Sequence, residues 1–320
     1  MIPSTVAFLF PGQGSQAAGM GKELASLDPV ARHTFQEADD ALGFSLSQLC
    51  FEGPAEKLRQ TEITQPAVLT VSVAVARVLQ EKGVVPQFVA GHSLGEYSAH
   101  VVAGTLEFAD AVRTVHKRGN YMQEAVPEGQ GAMAAMIGMQ LDVLQKVCED
   151  AAQGEVVAPA NINSPDQIVI SGAAGAVDRA IELAKERGAK RAIKLDVSAP
   201  FHCALMQPAQ DRLQKDLQSL TFNLPDVPVI CNVNAEPRSE GAEYREALVQ
   251  QVTGAVQWLG CVQKLVQLGA RTFIEVGPGK ILTGLMRQID RSQTATNVED
   301  EPSLQKVTNL FAAAAKSTSD

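Results

Sequence analysis

Ser93 is the strongest candidate nucleophile in the chain because it lies in Gly91-His92-Ser93-Leu94-Gly95, which fits the pattern G-x-S-x-G. In that pattern a sharp turn between a strand and a helix lifts the serine hydroxyl, and flanking side chains would clash. The sequence predicts a short strand over 88–90 before the motif and a helix over 96–103 after it. The N-terminus of that helix would place backbone N–H groups where an oxyanion develops in acyl transfer. A tight turn without catalytic function is the alternative.

A serine nucleophile needs a general base, and the chain has five histidines. His202 is the best candidate because it follows an apolar strand predicted over 191–197 and the stiff segment Ala199-Pro200-Phe201. Strand ends are where an α/β fold collects its functional residues. The other four histidines lie within helical patterns or beside the nucleophile: His33, His100, His116 and His92. A purely structural histidine is the alternative for His202.

Arg118 lies on the apolar stripe of a helix predicted over about 108–125. The stripe consists of Ala111, Val115, Arg118, Met122 and Ala125, and the opposite face carries Asp110, Arg113, Lys117, Asn120 and Glu124. A guanidinium in such a stripe is costly to bury unless it is paired. Its partner is either an acidic side chain of the protein or the carboxylate of a substrate, which the planar fork of arginine suits.

Two glycine-containing loops follow predicted strands. Pro11-Gly12-Gln13-Gly14-Ser15-Gln16 can present a backbone N–H to a substrate oxygen, but no Lys-Ser/Thr follows at the spacing of a phosphate loop. Gly277-Pro278-Gly279-Lys280 fails the same test because Ile281 follows the lysine, and it is interpreted as a strand-to-helix turn.

Composition excludes several classes of function. A net charge of -9 and a pI near 5.2 argue against a nucleic-acid binder, which needs a basic face. Five scattered cysteines without a C-x-x-C pair indicate reduced thiols and no zinc site. No run approaches about 18 apolar residues, so no membrane span is expected. The segment Met1–Phe10 is interpreted as a first strand rather than a signal peptide, which favours a cytoplasmic protein.

The order of predicted elements indicates an α/β protein with an insertion. Strands and helices over 128–197 alternate as βαββαβ, the order of a ferredoxin-like unit. Residues 1–127 and 198–320 on either side are assigned to one discontinuous catalytic domain with a mostly parallel sheet.

Several motifs, in order and at matching spacing, resemble the malonyl-CoA:acyl carrier protein transacylases of fatty acid synthesis. The resemblance covers nearly the whole chain. It rests on Phe10-Pro11-Gly12-Gln13-Gly14-Ser15-Gln16, Gln65-Pro66-Ala67, Gly91-His92-Ser93-Leu94-Gly95-Glu96-Tyr97-Ser98-Ala99, Lys117-Arg118-Gly119, Asn161-Ile162-Asn163-Ser164-Pro165, Pro200-Phe201-His202 and Glu275-Val276-Gly277-Pro278-Gly279-Lys280.

The resemblance implies a hydrolase-like α/β domain with the ferredoxin-like insertion, and it assigns functions to individual residues. Ser93 would be the nucleophile and His202 the general base, while Arg118 would bind the malonyl carboxylate. The oxyanion hole would be the N–H groups of Gln13 and Leu94, and the pocket would be lined by Gln65, His92 and Asn161. A backbone carbonyl, at Gln251 here, would orient the histidine, although an acid such as Asp196 stays possible on the sequence alone.

The expected reaction is therefore transfer of malonyl from malonyl-CoA to the phosphopantetheine thiol of acyl carrier protein, through a malonyl-serine and without a cofactor or metal. A polyketide-pathway acyltransferase, a serine hydrolase of acyl thioesters and a carrier-binding scaffold are the alternatives. A basic patch on the insertion is either a docking site for the acidic carrier or an ordinary solvated helix end: Lys185, Arg187, Lys190, Arg191 and Lys194.

Overall fold

The computed structural model describes residues 5–316. The nine strands in this range, in chain order, are β1 (Val6–Phe10), β2 (Phe88–Gly91), β3 (Gly131–Ile137), β4 (Val157–Ser164), β5 (Gln167–Ala173), β6 (Arg191–Lys194), β7 (Val229–Ile230), β8 (Thr272–Val276) and β9 (Thr294–Val298). Residues 1–4, the start of the segment interpreted as a first strand, lie outside the described residues.

Fourteen α-helices are formed by the same residues. They are α1 (Lys22–Leu27), α2 (Pro29–Leu42), α3 (Leu46–Glu52), α4 (Ala55–Leu58), α5 (Thr61–Glu81), α6 (Gly95–Val102), α7 (Phe108–Glu124), α8 (Leu141–Ala152), α9 (Ala174–Glu186), α10 (Gln207–Gln218), α11 (Gly241–Gln250), α12 (Trp258–Gln267), α13 (Ile281–Ile289) and α14 (Glu301–Lys316), with a 3-10 turn at Ala204–Met206 before α10.

The larger sheet has the order β7-β2-β1-β8-β9, and all four strand pairs are parallel. Every residue of β1 is buried, as expected for a strand covered by helices on both faces. Because the strands are parallel, the chain leaves β1, β2 and β7 at the same edge of the sheet. The α/β class with a mostly parallel sheet, predicted from the sequence, is confirmed.

The smaller sheet is antiparallel and has the order β4-β5-β3-β6. With α8 and α9 it follows the predicted order βαββαβ, and it has an apolar core of its own. Two backbone hydrogen bonds tie it to the rest of the chain, from Ile162 N to Val256 O at 2.9 Å and from Val256 N to Ala160 O at 2.8 Å. The limits 128 and 197 stay a prediction.

Helix α5 is the one helix among residues 5–316 that is long and apolar enough, by length and composition alone, to cross a membrane. In the structure 83% of its most apolar window is buried inside the protein. It packs against α2 and α7 and forms much of the main core. The helix is therefore a core element, whose apolar surface is covered by protein.

Strand β7 has only two residues. It ends at Ile230 because the chain turns, with Cys231 N donating to Glu236 O and Ala235 N to Cys231 O. The turn directs the side chain of Asn232 towards the loop after β2, where Nδ2 donates to Gly91 O at 2.7 Å. The strand predicted over 191–197 likewise ends at Lys194, since residues 195–198 line a cleft.

Candidate active site

Ser93 lies in a strained turn between β2 and α6, with a φ of 52°. The turn is so tight that a Cβ on Gly91 would lie 1.9 Å from the carbonyl oxygen of Gly95, and a Cβ on Gly95 would lie 2.1 Å from that of Phe10. Only glycine fits at either position. The geometry is that of a nucleophile elbow, which holds the serine hydroxyl above the end of the sheet.

His202 is within hydrogen-bond distance of the Ser93 hydroxyl, with 2.7 Å between Nε2 and Oγ. Its Nδ1 lies 2.8 Å from the carbonyl oxygen of Gln251, which can only accept. Nδ1 therefore carries the proton and Nε2 is free to accept one. Burial, and then the positive charge of Arg118, lower the pKa of His202 to about 3, so the ring is neutral at neutral pH. The exposed Asp196 lines the cleft and is not the partner of Nδ1.

Arg118 points from α7 into the same cavity, and its side chain is 1% exposed. Nη1 donates to Gln65 Oε1 at 2.8 Å, and Nη2 donates to Gln251 Oε1 at 2.9 Å and to Ser93 Oγ at 3.2 Å. Every one of these acceptors is uncharged. The internal salt bridge that the sequence left open is absent from the described residues, and two of the five guanidinium N–H groups have no partner there.

The close approach of α7 and α5 positions this guanidinium. A Cβ on Gly119 would lie 2.5 Å from the Cα of Glu62, so α7 contacts the first turn of α5 beside Arg118 and Gln65. The glycine after the arginine therefore has a packing function. Tyr97 lies below, with the guanidinium carbon 5.6 Å from the ring centroid.

Gln13 and Leu94, whose backbone N–H groups are predicted to form the oxyanion hole, both line the cleft that contains Ser93. Leu94 N stands before the first turn of α6, and Gln13 follows β1, which pairs with β2 through Phe10 and Gly91. The two loops are in contact, since a Cβ on Gly12 would lie 2.5 Å from the His92 carbonyl oxygen. Neither N–H donates a hydrogen bond within residues 5–316, so both are available to an oxyanion.

The cleft has a volume of about 730 Å³ and lies between the two sheets. The larger unit supplies most of the residues with chemical functions, and the smaller sheet supplies Gly131, Met133 and Asn161. His92, also in the lining, binds Asn163 Oδ1 through Nε2 at 2.8 Å. All the side chains predicted to line the pocket are thus brought together. The five basic residues of the insertion are not among the residues that line it.

Two residues near the site were not found from the sequence. Glu96 and Asn232 lie beneath Ser93 and are fully buried. Asn232 Oδ1 accepts from Ser93 N at 2.7 Å, and its own N–H donates to Glu96 Oε2 at 3.0 Å. The acidic residue directly after the G-x-S-x-G motif, in a helix that is otherwise apolar there, was a signal for Glu96. No local pattern marks Asn232.

Comparisons with known proteins identify the family of the chain. Residues 7–318 match the family model described as "Acyl transferase domain". The malonyl CoA-acyl carrier protein transacylase of Escherichia coli K12 is 52% identical over 298 residues, covering 93% of this chain and 96% of the relative. That of Bacillus subtilis is 50% identical over 303 residues, covering 94% and 96%.

Solved structures give the same result. The acyl carrier protein S-malonyltransferase of Vibrio cholerae superposes with a TM-score of 0.93 at 50% identity, covering 95% of this chain and all of that one. A malonyl-transacylase in complex with a type II PKS acyl-carrier protein has a TM-score of 0.93 at 46% identity, covering 96% and 99%. From its sequence, fold and cleft, the chain belongs to the acyl transferase domain family and, within it, to the malonyl-CoA:acyl carrier protein transacylases.

Proposed function

We propose that the protein transfers malonyl from malonyl-CoA to the phosphopantetheine thiol of an acyl carrier protein in fatty acid synthesis, through a malonyl ester of Ser93. The observation that carries the proposal is the position of Arg118, whose Nη2 lies 3.2 Å from Ser93 Oγ. A cation and an activated hydroxyl therefore share one cavity. An acyl group with a terminal carboxylate two bonds beyond its carbonyl carbon reaches both.

In the first half-reaction His202 Nε2 takes the Ser93 proton as Oγ attacks the thioester carbon. The N–H groups of Gln13 and Leu94 stabilise the oxyanion, the C–S bond breaks, and the proton on His202 passes to the departing thiolate. In the second half the carrier thiol gives its proton to His202 and its sulfur attacks the ester carbon. The C–Oγ bond then breaks and His202 returns the proton to Oγ, which restores Ser93. Thioester and oxygen ester are close in energy, so the exchange needs neither a nucleotide nor a metal.

Arg118 selects the acyl group in this scheme. Its guanidinium contacts only neutral acceptors, so its charge is unpaired by direct contact, and a carboxylate could displace Gln65 Oε1 from Nη1 and Ser93 Oγ from Nη2. Gln65 is displaceable, since the hydrogen-bond partner of its amide nitrogen among residues 5–316 is the Met122 sulfur, a weak acceptor at 3.9 Å. An acetyl group fills less of the cavity and gains nothing from the guanidinium.

Transfer to a thiol, rather than hydrolysis, separates this function from its main rival. A serine hydrolase would release malonate at the same rate with or without a carrier. We expect incubation with malonyl-CoA and holo carrier protein to yield malonyl carrier stoichiometrically, with little free malonate, as read by mass spectrometry and chromatography. Malonate formed faster than malonyl carrier would favour the hydrolase.

The carrier is proposed to dock beside β6, which leads directly into the cleft residues 195–198. Three of the five basic residues predicted for docking are paired on the insertion itself, Lys185 with Glu182, Arg187 with Asp150 and Lys194 with Asp178. Lys190 and Arg191 are exposed and have no acidic partner within residues 5–316. The two unpaired cations are the stronger candidates for contact with an acidic carrier.

Reversing the charge of Lys190 and Arg191 to glutamate is expected to raise the KM for the carrier about tenfold and to leave the KM for malonyl-CoA unchanged. Lys185→Glu is the matched control, because an exposed charge already paired with Glu182 contributes less to steering. Steady-state kinetics at low salt would show the difference. Equal changes for both substrates would place docking elsewhere.

A cytoplasmic location, where coenzyme A thioesters and the carrier meet, follows from the proposed function.

A further inference from the structure

Glu96 is a buried carboxyl group that the proposed mechanism does not use. It lies in the first turn of α6, three residues after Ser93, and its side chain is fully buried. Oε2 accepts hydrogen bonds from Asn232 N at 3.0 Å and from Gln251 Nε2 at 2.7 Å. Oε1 has no hydrogen-bond partner in the described residues and faces His100 Nε2 at 3.9 Å.

The Gln251 amide connects this carboxyl group to Arg118. Its nitrogen donates to Glu96 Oε2 and to Ser93 O, and its oxygen accepts from Arg118 Nη2. If the amide were turned over, its oxygen would face a carboxylate and a carbonyl, and its nitrogen would face a guanidinium. Glu96 therefore fixes the orientation of the amide. The same residue, through its backbone carbonyl, orients His202.

The indirect link through Gln251 meets two electrostatic requirements. A buried guanidinium without a counter-charge is costly, yet a direct ion pair would occupy the N–H groups that a substrate carboxylate needs. One amide between the cation and the anion keeps the counter-charge near without a direct ionic contact to the guanidinium. We propose that Glu96 is the counter-charge of Arg118, acting through the Gln251 amide, and that its protonation state sets how strongly the pocket prefers a carboxylate-bearing acyl group over a neutral one. This inference rests on the proposed function.

The surroundings of Glu96 make it the group that titrates. Burial raises its pKa to about 7, opposed by the hydrogen bonds from Asn232 and Gln251 and by Arg118 on α7. The other titratable groups that face it stay neutral near that pH. Burial lowers the pKa of His100 to about 3 and raises the pKa of three groups, Tyr97 on α6, Cys231 after β7 and Cys261 on α12.

The ionisation of Glu96 determines the sign of the pH effect. Above about pH 7 Glu96 is ionised and opposes a second carboxylate at Arg118, whereas below it Glu96 is neutral and the guanidinium attracts that carboxylate fully. The malonyl carboxylate itself stays ionised throughout. The ratio of kcat/KM for malonyl-CoA to that for acetyl-CoA is therefore expected to fall about fivefold between roughly pH 6 and pH 8. Because His202 acts on both substrates, its titration cancels in the ratio.

Glu96→Gln is the decisive variant, because its amide oxygen can accept both hydrogen bonds that Oε2 accepts while the charge is removed. The ratio in this variant should be independent of pH and at least as high as the low-pH ratio of the wild type. Glu275→Gln is the matched control, since Glu275 is equally buried but caps α13 through Leu282 N and Thr283 N. It should keep the pH dependence. A flat ratio in the wild type, or an unchanged slope in Glu96→Gln, overturns the inference.

A measurement without turnover keeps the inference testable if Glu96→Gln folds poorly. The Ser93→Ala variant should bind about half a proton at most when it binds malonyl-CoA at about pH 7, and no proton when it binds acetyl-CoA. Calorimetry in buffers of different ionisation enthalpy measures this proton uptake. Equal uptake for both ligands, or none for malonyl-CoA, contradicts it. If Arg118→Ala abolishes the malonyl preference while these tests fail, only the inference about Glu96 is lost. If Arg118→Ala leaves the preference intact, the proposed function fails with it.

Discussion

Replacing Ser93 with alanine is expected to lower the rate of malonyl transfer by about 10⁵- to 10⁶-fold, with the fold preserved. The hydroxyl is the atom that attacks, and it is held 2.7 Å from an imidazole nitrogen that is free to accept its proton. Removing a serine nucleophile from an arrangement of this kind costs nearly all of the catalytic rate, and the residual activity comes from the oxyanion donors and substrate binding. Steady-state transfer to holo carrier protein measures the loss.

Ser98→Ala is the control for this prediction. Ser98 lies on α6, the helix that follows Ser93, and its buried hydroxyl has no hydrogen-bond partner in the described residues. Its loss should leave kcat nearly unchanged. A Ser93→Ala variant that retains more than about a thousandth of the wild-type rate would show that another group attacks the thioester.

Replacing Arg118 with alanine is expected to lower kcat/KM for malonyl-CoA by about 2–5 kcal/mol in transition-state binding, or roughly 30-fold to several thousand-fold. The loss is large because a carboxylate would then enter a buried site without its cation. Acetyl transfer makes no use of the guanidinium and should change by less than about tenfold, so the preference between the two acyl groups should invert. Parallel kinetics with malonyl-CoA and acetyl-CoA measure both values.

One further variant at position 118 separates charge from shape, and a second variant elsewhere serves as the control. Arg118→Lys keeps the charge but loses the planar fork, so its malonyl activity should lie between those of the wild type and Arg118→Ala. Arg77→Ala removes another helical arginine, which pairs with Glu37 on the surface, and should leave the acyl preference unchanged. Equal losses of malonyl and acetyl transfer in Arg118→Ala would show that Arg118 only supports the fold.

Local sequence signals predicted the parts of the site that depend on local geometry. The glycines around Ser93 indicated a tight turn because any side chain there meets backbone within about 2 Å, as the contacts at Gly91 and Gly95 show. Arg118 stood out because a charged residue interrupts an apolar helical stripe. The predicted helix over 108–125 agrees with α7 to within one residue.

Other parts depend on contacts between distant segments, which a single sequence does not encode locally. Every residue has a backbone carbonyl, so nothing in the sequence distinguishes Gln251, which holds His202, from an acidic side chain such as Asp196. Asn232 reaches Ser93 across 139 positions because β7 and β2 are neighbours in the sheet. The edge strand β9 was missed because its half-exposed Thr294–Val298 lacks a run of apolar residues.

The central claim is that Arg118 and Ser93 act on the same acyl group, and a covalent adduct tests it most directly. The wild-type protein, incubated with equimolar malonyl-CoA and acetyl-CoA without a carrier, is digested at low pH and its peptides are analysed by mass spectrometry. We predict a malonyl ester on Ser93 in large excess over an acetyl ester, and the reverse order in Arg118→Ala. An unmodified Ser93, or equal malonyl and acetyl labelling in the wild type, would contradict the account.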